Sequence, residues 1–270
     1  MMTIKTPEDI EIMAEGGRRL AAVLRELVDR TAVGVTTKQL DRIAYRKIHE
    51  LGAKPAFLNY RPAGARRGYP YTLCASLNEV VVHGQPSDGP LGDGDLLKLD
   101  LGLVYHGWYL DAAVTVLVES PATAGGPAAS PAERERRVIA RKLMDATREA
   151  LQAGIAETRP GKTLGDVGFA IEQAVKRRGF AVAEGLIGHG IGRTLHEDPP
   201  VFNFGRRGSG ELIEAGMVIA IEPMVVAGRS GATVTRKDDS FASRDGLPAA
   251  HFEHTVAVTP AGPRVLTEES

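Results

Sequence analysis

Apolar side chains recur at helical spacing near the start of the chain. Ile10, Met13, Leu20, Leu24 and Leu27 lie on one face of a 3.6-residue period. Thr6 caps that helix, Pro7 occupies its first turn, and Glu8 and Asp9 sit at the positive end of its dipole. A second helix opens at Thr36, with Gln39 completing a capping box. Leu40, Ile43, Ile48 and Leu51 form its apolar side and Gly52 ends it. Residues 57–70 read as a loop with arginines at its solvated tip. The period then changes from 3.6 to two. Residues 72–84, TLCASLNEVVVHG, and 94–118, GDLLKLDLGLVYHGWYLDAAVTVLV, alternate as strands do, and the second turns at His106-Gly107, which predicts an antiparallel hairpin. Residues 120–132 are rich in Pro, Ala and Gly and read as a flexible connector. A long helix follows from Pro131 to about Ala153, and Thr163 caps another ending near Arg178. MVIAIEPMVVAG (217–228) and HFEHTVAVT (251–259) are further strand patterns. Helices precede strands twice, over 1–118 and 131–260. This predicts an α+β fold of two similar halves around an antiparallel sheet.

Composition narrows the function classes. The chain has 270 residues, 43% hydrophobic and 25% charged, with a formal net charge of -1. No global basic field exists to collect nucleic acid. Cys74 is the single cysteine, so no internal disulfide forms, which fits a reducing compartment. No apolar run reaches the roughly 18 residues of a membrane span, and the first residues lack the apolar core of a signal peptide. The expectation is a cytoplasmic protein.

Five side chains sit where an apolar pattern does not want them. Asp100 lies in LLKLDLGLV, Asp111 in WYLDAAVTV, Glu222 in VIAIEPMVV, Glu253 in HFEHTVAV, and His189 in the glycine-rich GLIGHGIGRTLHEDPP. One such acid can face solvent on an alternating strand. Four, with an imidazole, suit a pair of divalent cations instead, because a buried carboxylate is costly unless paired. Lys98 is the one nearby lysine, and residues 219–226 and 251–258 contain no Lys or Arg. A tertiary ion pair stays open as the other compensation. Two nucleotide motifs fail. In GHGIGR the third glycine of the dinucleotide fingerprint falls on Arg193, and in RPGKT the first P-loop glycine falls on Ala156.

Together, LKLDLG, YLDAAVT, GHGIGRTLHEDP, IEPMV and FEHTVAVT resemble the type I methionine aminopeptidases, and the resemblance runs from the first helix to about residue 260. It implies a pita-bread fold over residues 1–270, with two pseudo-symmetric halves around a curved antiparallel sheet. It implies two divalent ions held by Asp100, Asp111, His189, Glu222 and Glu253, with Asp111 and Glu253 bridging. A hydroxide between the ions would attack the scissile carbonyl, Glu222 shuttling the proton. His196 would stabilise the tetrahedral oxyanion, and His83 would contact the scissile amide. Tyr60, Tyr69, Cys74 and Leu195 would line an apolar pocket for the methionine side chain. The implied substrates are N-termini of nascent polypeptides near the ribosome, with a small second residue; the implied state is a monomer. Mn, Fe, Co and Zn all suit such a donor set.

The chain departs from the family pattern in the pocket. Leu195 stands where an aromatic is common, Phe57 lies near the place of a family cysteine, and Ser240 lies where a tryptophan is expected. The 61–68 loop is longer than in familiar bacterial members. Two alternatives share some of these features. Proline-specific aminopeptidases and dipeptidases keep the ligand order but carry an additional N-terminal domain, and only 99 residues precede Asp100 here. A non-catalytic partner-binding protein of this fold would lose ligands that this chain retains. Type II enzymes need a helical insert between His196 and Glu222, where only 25 residues lie.

Overall fold

The structure, a computed structural model, describes residues 3–61, 67–120 and 130–268. Most of the expected connector (121–129) and the middle of the 57–70 loop (62–66) lie outside the described residues. The first half contains α1 (Pro7–Arg30), α2 (Thr37–Glu50), β1 (Lys54–Pro55), β2 (Leu73–Leu77), β3 (Val80–Val82), β4 (Leu96–Tyr105) and β5 (Trp108–Leu117). The second contains α3 (Pro131–Glu157), α4 (Leu164–Arg177), β6 (Ala181–Val182), β7 (Gly188–Gly190), β8 (Glu197–Val201), β9 (Val218–Ile221), β10 (Met224–Val226), β11 (Thr233–Thr235), β12 (Phe241–Ser243), β13 (Ala249–His251), β14 (Glu253–Thr259) and β15 (Gly262–Val265).

All four helices begin as local chemistry dictates. Thr6, Thr36, Ser130 and Thr163 accept from the backbone three residues on, and Asp9, Gln39, Glu133 and Asp166 reciprocate. The third helix runs about a turn beyond its expected end, because Gly154, Ile155 and Thr158 are buried against neighbours. Gly154 packs where a side chain would strike Ile171 of α4.

The main sheet joins both halves. Its hydrogen-bonded order is β1-β4-β5-β14-β9-β7-β8, with β2 also on β4 and β15 also on β14, and every pairing is antiparallel. Leu97, Leu99, Leu101 and Leu103 of β4 turn one face of the sheet into the core beneath α1 and α2. Ile219, Ile221, Val256 and Val258 do the same beneath α3 and α4. The helices thus cover one face, and alternation sends Asp100, Asp111 and Glu253 to the other.

Gly17 shows how tightly α1 is seated. A Cβ there would lie 2.0 Å from the carbonyl oxygen of Leu266. That oxygen is main chain and cannot rotate away. Gly17→Ala gains helix propensity of up to about 1 kcal/mol, and the overlap outweighs it. The expected net loss is about 1–3 kcal/mol, read from urea unfolding. An unchanged midpoint would mean that the helix and the C-terminal segment part without cost.

Two expected strands are each divided. MVIAIEPMVVAG breaks at Glu222-Pro223 into β9 and β10, so Glu222 is not inside a strand. Proline cannot donate to the ladder. Residues 251–259 break at Phe252, and β13 leaves the main sheet to pair with β10, which in turn pairs with β6.

Candidate metal centre

Strand register brings distant acids into rows. Cys74 pairs with Asp100, Asp100 with Ala113, and Ala113 with Glu253. One step beyond the His254↔Ile221 pair, Glu222 falls at the end of that row. The adjacent row on the same face runs from Asp111 through Thr255 and Ala220 to His189. Thr255 ties it together, its hydroxyl donating to the carbonyl of Asp111 at 2.8 Å and accepting the Asp111 N–H at 3.1 Å. Strands are about 4.8 Å apart, so a flat sheet would hold Asp100 and His189 about 19 Å from each other. The sheet has to curl towards this face to gather the five side chains on one patch.

His189 reaches this patch because its flanking glycines allow strand to press on strand. A Cβ on Gly190 would lie 2.1 Å from the carbonyl oxygen of Asp198. The stretch is no helix; it is the short strand β7, between β8 and β9.

Donor atoms converge in two overlapping groups. Asp111, His189 and Glu253 each offer one within 4.8 Å of the others, and so do Glu222, His251 and Glu253. Glu253 belongs to both. Asp100 lies outside these two groups, although its charge acts on Asp111.

The tertiary ion-pair alternative is not what the acids show. Among the described residues, no lysine or arginine pairs with Asp100, Asp111, Glu222 or Glu253, and Glu222 and Glu253 face only uncharged histidine rings. Lys98 donates instead to the carbonyls of Asn78 and Leu96. Asp100 Oδ1, Asp111 Oδ1 and Glu253 Oε1 are buried without a hydrogen-bond partner. Such oxygens cost free energy until something binds them, and a multivalent cation fits this donor set of carboxylates and imidazoles.

The electrostatics agree. Burial pushes the Asp100 carboxyl up to about 7. Burial first, and mutual repulsion second, hold Asp111, Glu222 and Glu253 well above the usual carboxylate range. Burial lowers His189 to about 3, so its ring is neutral with a lone pair to give.

Beside this cluster, His189 and His196 stack edge to face with centroids 4.4 Å apart. The Tyr60 hydroxyl meets His196 Nδ1 at 2.6 Å. His83 adopts a left-handed φ of 60° and rests edge-on against Phe241. Its charge also lowers His196, after desolvation. Leu195 and Cys74 are buried in the cluster against which Tyr60 and Tyr69 pack. Burial raises the Cys74 thiol, helped by Asp100 alongside, so it stays protonated.

Two neighbours escaped the sequence reading. His251 is 1% exposed and sits 3.6 Å from Glu222 and 3.7 Å from Glu253. Its signal was present, since His251 and Glu253 alternate in HFEH. Asn203, fully buried, donates to the main-chain carbonyl of Glu222 at 3.0 Å. Nothing local in the sequence marks it.

The chain and its fold have known counterparts. The family model for metallopeptidase family M24 matches residues 11–260. Methionine aminopeptidase 1 of Mycobacterium tuberculosis is 42% identical over 266 residues, spanning 96% of this chain and 92% of that one. The crystal structure of methionine aminopeptidase from Rickettsia prowazekii superposes with a TM-score of 0.89 at 33% identity, covering 99% of this chain and 100% of that one. Prolidase from Pyrococcus furiosus shares the pita-bread fold at a TM-score of 0.72 but only 21% identity, and 66% of it is covered. The prolidase alternative is therefore a likeness of fold alone. The chain belongs to the metallopeptidase family M24 and, within it, to the methionine aminopeptidases.

Proposed function

We propose that this chain removes the N-terminal methionine from polypeptides whose second residue is small, with two divalent ions held by Asp100, Asp111, His189, Glu222 and Glu253. The observation that carries the reading is a set of buried acids and a neutral imidazole on one sheet face, none paired with a lysine or arginine among the described residues. When bound, the ions polarise a carbonyl and lower the pKa of water. Co, Mn, Fe and Zn all remain compatible with these donors.

The remaining steps fall to the chain's own groups. Glu222 lies 12% exposed at the edge of the cluster with its carboxyl raised, which suits it to take a proton from water and pass it to the leaving amine. Tyr60 keeps its hydroxyl proton, since burial raises its pKa. It therefore donates to His196 Nδ1, which leaves the hydrogen on Nε2 to bind the oxyanion. His83 contacts the scissile amide. Tyr60, Tyr69, Cys74 and Leu195 bound an apolar pocket for the methionine side chain. A bulky second residue would collide with the site wall.

His196→Ala tests the oxyanion role. Metal content is expected to persist while turnover falls about 10²–10³-fold, the effect of losing one oxyanion donor. Unchanged turnover would remove His196 from the chemistry. The function itself is tested by elemental analysis of chelator-free protein together with hydrolysis of Met-Ala-Ser. Release of methionine with bound metal is expected. Cleavage of Xaa-Pro dipeptides alone would favour the prolidase reading, and a metal-free, inactive protein the partner-binding one. The physiological substrates are nascent chain N-termini near the ribosome, met by a cytoplasmic monomer. No helix among the described residues is long and apolar enough to cross a membrane.

A further inference from the structure

His251 belongs to a third row on the acid-bearing face. Lys98 pairs with Thr115, and the Thr115 hydroxyl accepts the His251 N–H at 2.9 Å while donating to the His251 carbonyl at 2.6 Å. On its other side, His251 pairs with Met224 of β10. The main chain of His251 is thus held from both sides, and its ring is delivered to a fixed place.

That place is beside Glu222 and Glu253. The ring is 1% exposed, and neither nitrogen has a hydrogen-bond partner. Nε2 lies 3.6 Å from Glu222 Oε2 and 3.7 Å from Glu253 Oε2. These separations exceed the roughly 2.7–3.2 Å of a hydrogen bond. They match the edge between two donors that share one ion at about 2.0–2.2 Å, which is about 3.4 Å in a tetrahedral arrangement. His189 Nε2 stands at the same kind of distance, 3.5 Å, from the other Glu222 oxygen. Two imidazoles therefore flank one carboxylate at ligand spacing.

We propose that His251 is a further protein ligand of the centre, binding through Nε2 the ion that Glu222 and Glu253 also hold. The inference rests on the dinuclear reading above and adds a donor to it. It gives the centre a second imidazole beside His189. A second nitrogen donor moves the preference of that position away from Mn, which favours carboxylate oxygen, and towards Zn or Co.

X-ray absorption of the Zn-loaded wild-type protein counts imidazoles directly. Two histidines per pair of ions are expected; one per pair would overturn the proposal without any variant. His251→Gln keeps similar bulk and a polar head, and circular dichroism checks its fold. In this variant the imidazole count is expected to halve. The Kd of the weaker Zn site, by calorimetry, is expected to rise about 100-fold, the upper end of the effect of a lost supporting partner. The Kd for Mn should rise less. Equal weakening for both metals, with the count unchanged, would make His251 a positioning residue and sink its role as ligand. A wild-type protein that binds fewer than two ions would instead overturn the dinuclear reading beneath it.

Discussion

Stripping divalent ions with a chelator is expected to abolish peptide hydrolysis and to lower the thermal unfolding midpoint by about 5–10 °C, both reversed by adding ion back. The size follows from linkage. An ion present at about 100 times its Kd stabilises by about 2.7 kcal/mol, and a domain of this size shifts by about 2–4 °C per kcal/mol. The pH dependence has a definite sign. Asp100, Asp111, Glu222 and Glu253 have folded pKa values raised above their unfolded ones. In the ion-free protein their contribution is full below the unfolded carboxylate range near 4 and is lost as pH rises through 7 and beyond. Bound ions favour the ionised carboxylates and remove that loss. His189 and His251, lowered to about 3, stay neutral across this window and add no opposing slope to the folded state. The gap between ion-loaded and ion-free midpoints should therefore widen from pH 5 to pH 8. Melting curves with and without chelator across that range decide it. A gap that is absent, or flat with pH, would mean that the buried acids are not what the ions neutralise.

What could be read in advance divides along a physical line. Helix starts at Thr6, Thr36 and Thr163 depend on side chains three residues away, so they are written locally. The hairpin turn is local too, with both His106 and Gly107 at positive φ of 48° and 80°, as a two-residue turn requires. The candidate ligands stood out because a carboxylate in an apolar run has to be compensated somewhere. Which face each acid takes follows from alternation. Their assembly does not, because it depends on β14 joining β5 to β9 across more than 100 residues of chain. The same distance hides the Tyr60–His196 contact, made between residues 136 apart. His251 was missed for a different reason. A lone histidine near an apolar strand is ordinary, and only the break at Phe252, with β13 turning away to β10, fixes its ring between Glu222 and Glu253. The break at Pro223 is marked locally, since proline cannot donate to the ladder; the one at Phe252 is not, because the strand-like pattern runs through it.

Asp111→Asn is expected to lower kcat/KM by about 10³-fold or more and to leave at most one ion bound. The substitution keeps volume and shape, and the links that hold residue 111 in its row run through its main-chain N–H and carbonyl to Thr255, so they survive. What changes is one charge. Asp111 Oδ1 is buried without a partner, and its carboxyl shares a donor group with His189 and Glu253. An amide offers one weaker oxygen there and turns an NH₂ towards groups that are otherwise acceptors. Loss of an ion removes several kcal/mol of charge stabilisation from the transition state, and each 1.36 kcal/mol is tenfold in rate. The ion-free variant should meanwhile melt no lower than the ion-free wild type, because the cost of keeping a buried carboxyl from ionising has been removed. Lost activity with retained ion-free stability separates a ligand from a structural acid, for which both would fall together. Metal stoichiometry, melting without ions and hydrolysis of Met-Ala-Ser supply the three readings. A variant that keeps two ions and wild-type turnover would remove Asp111 from the centre.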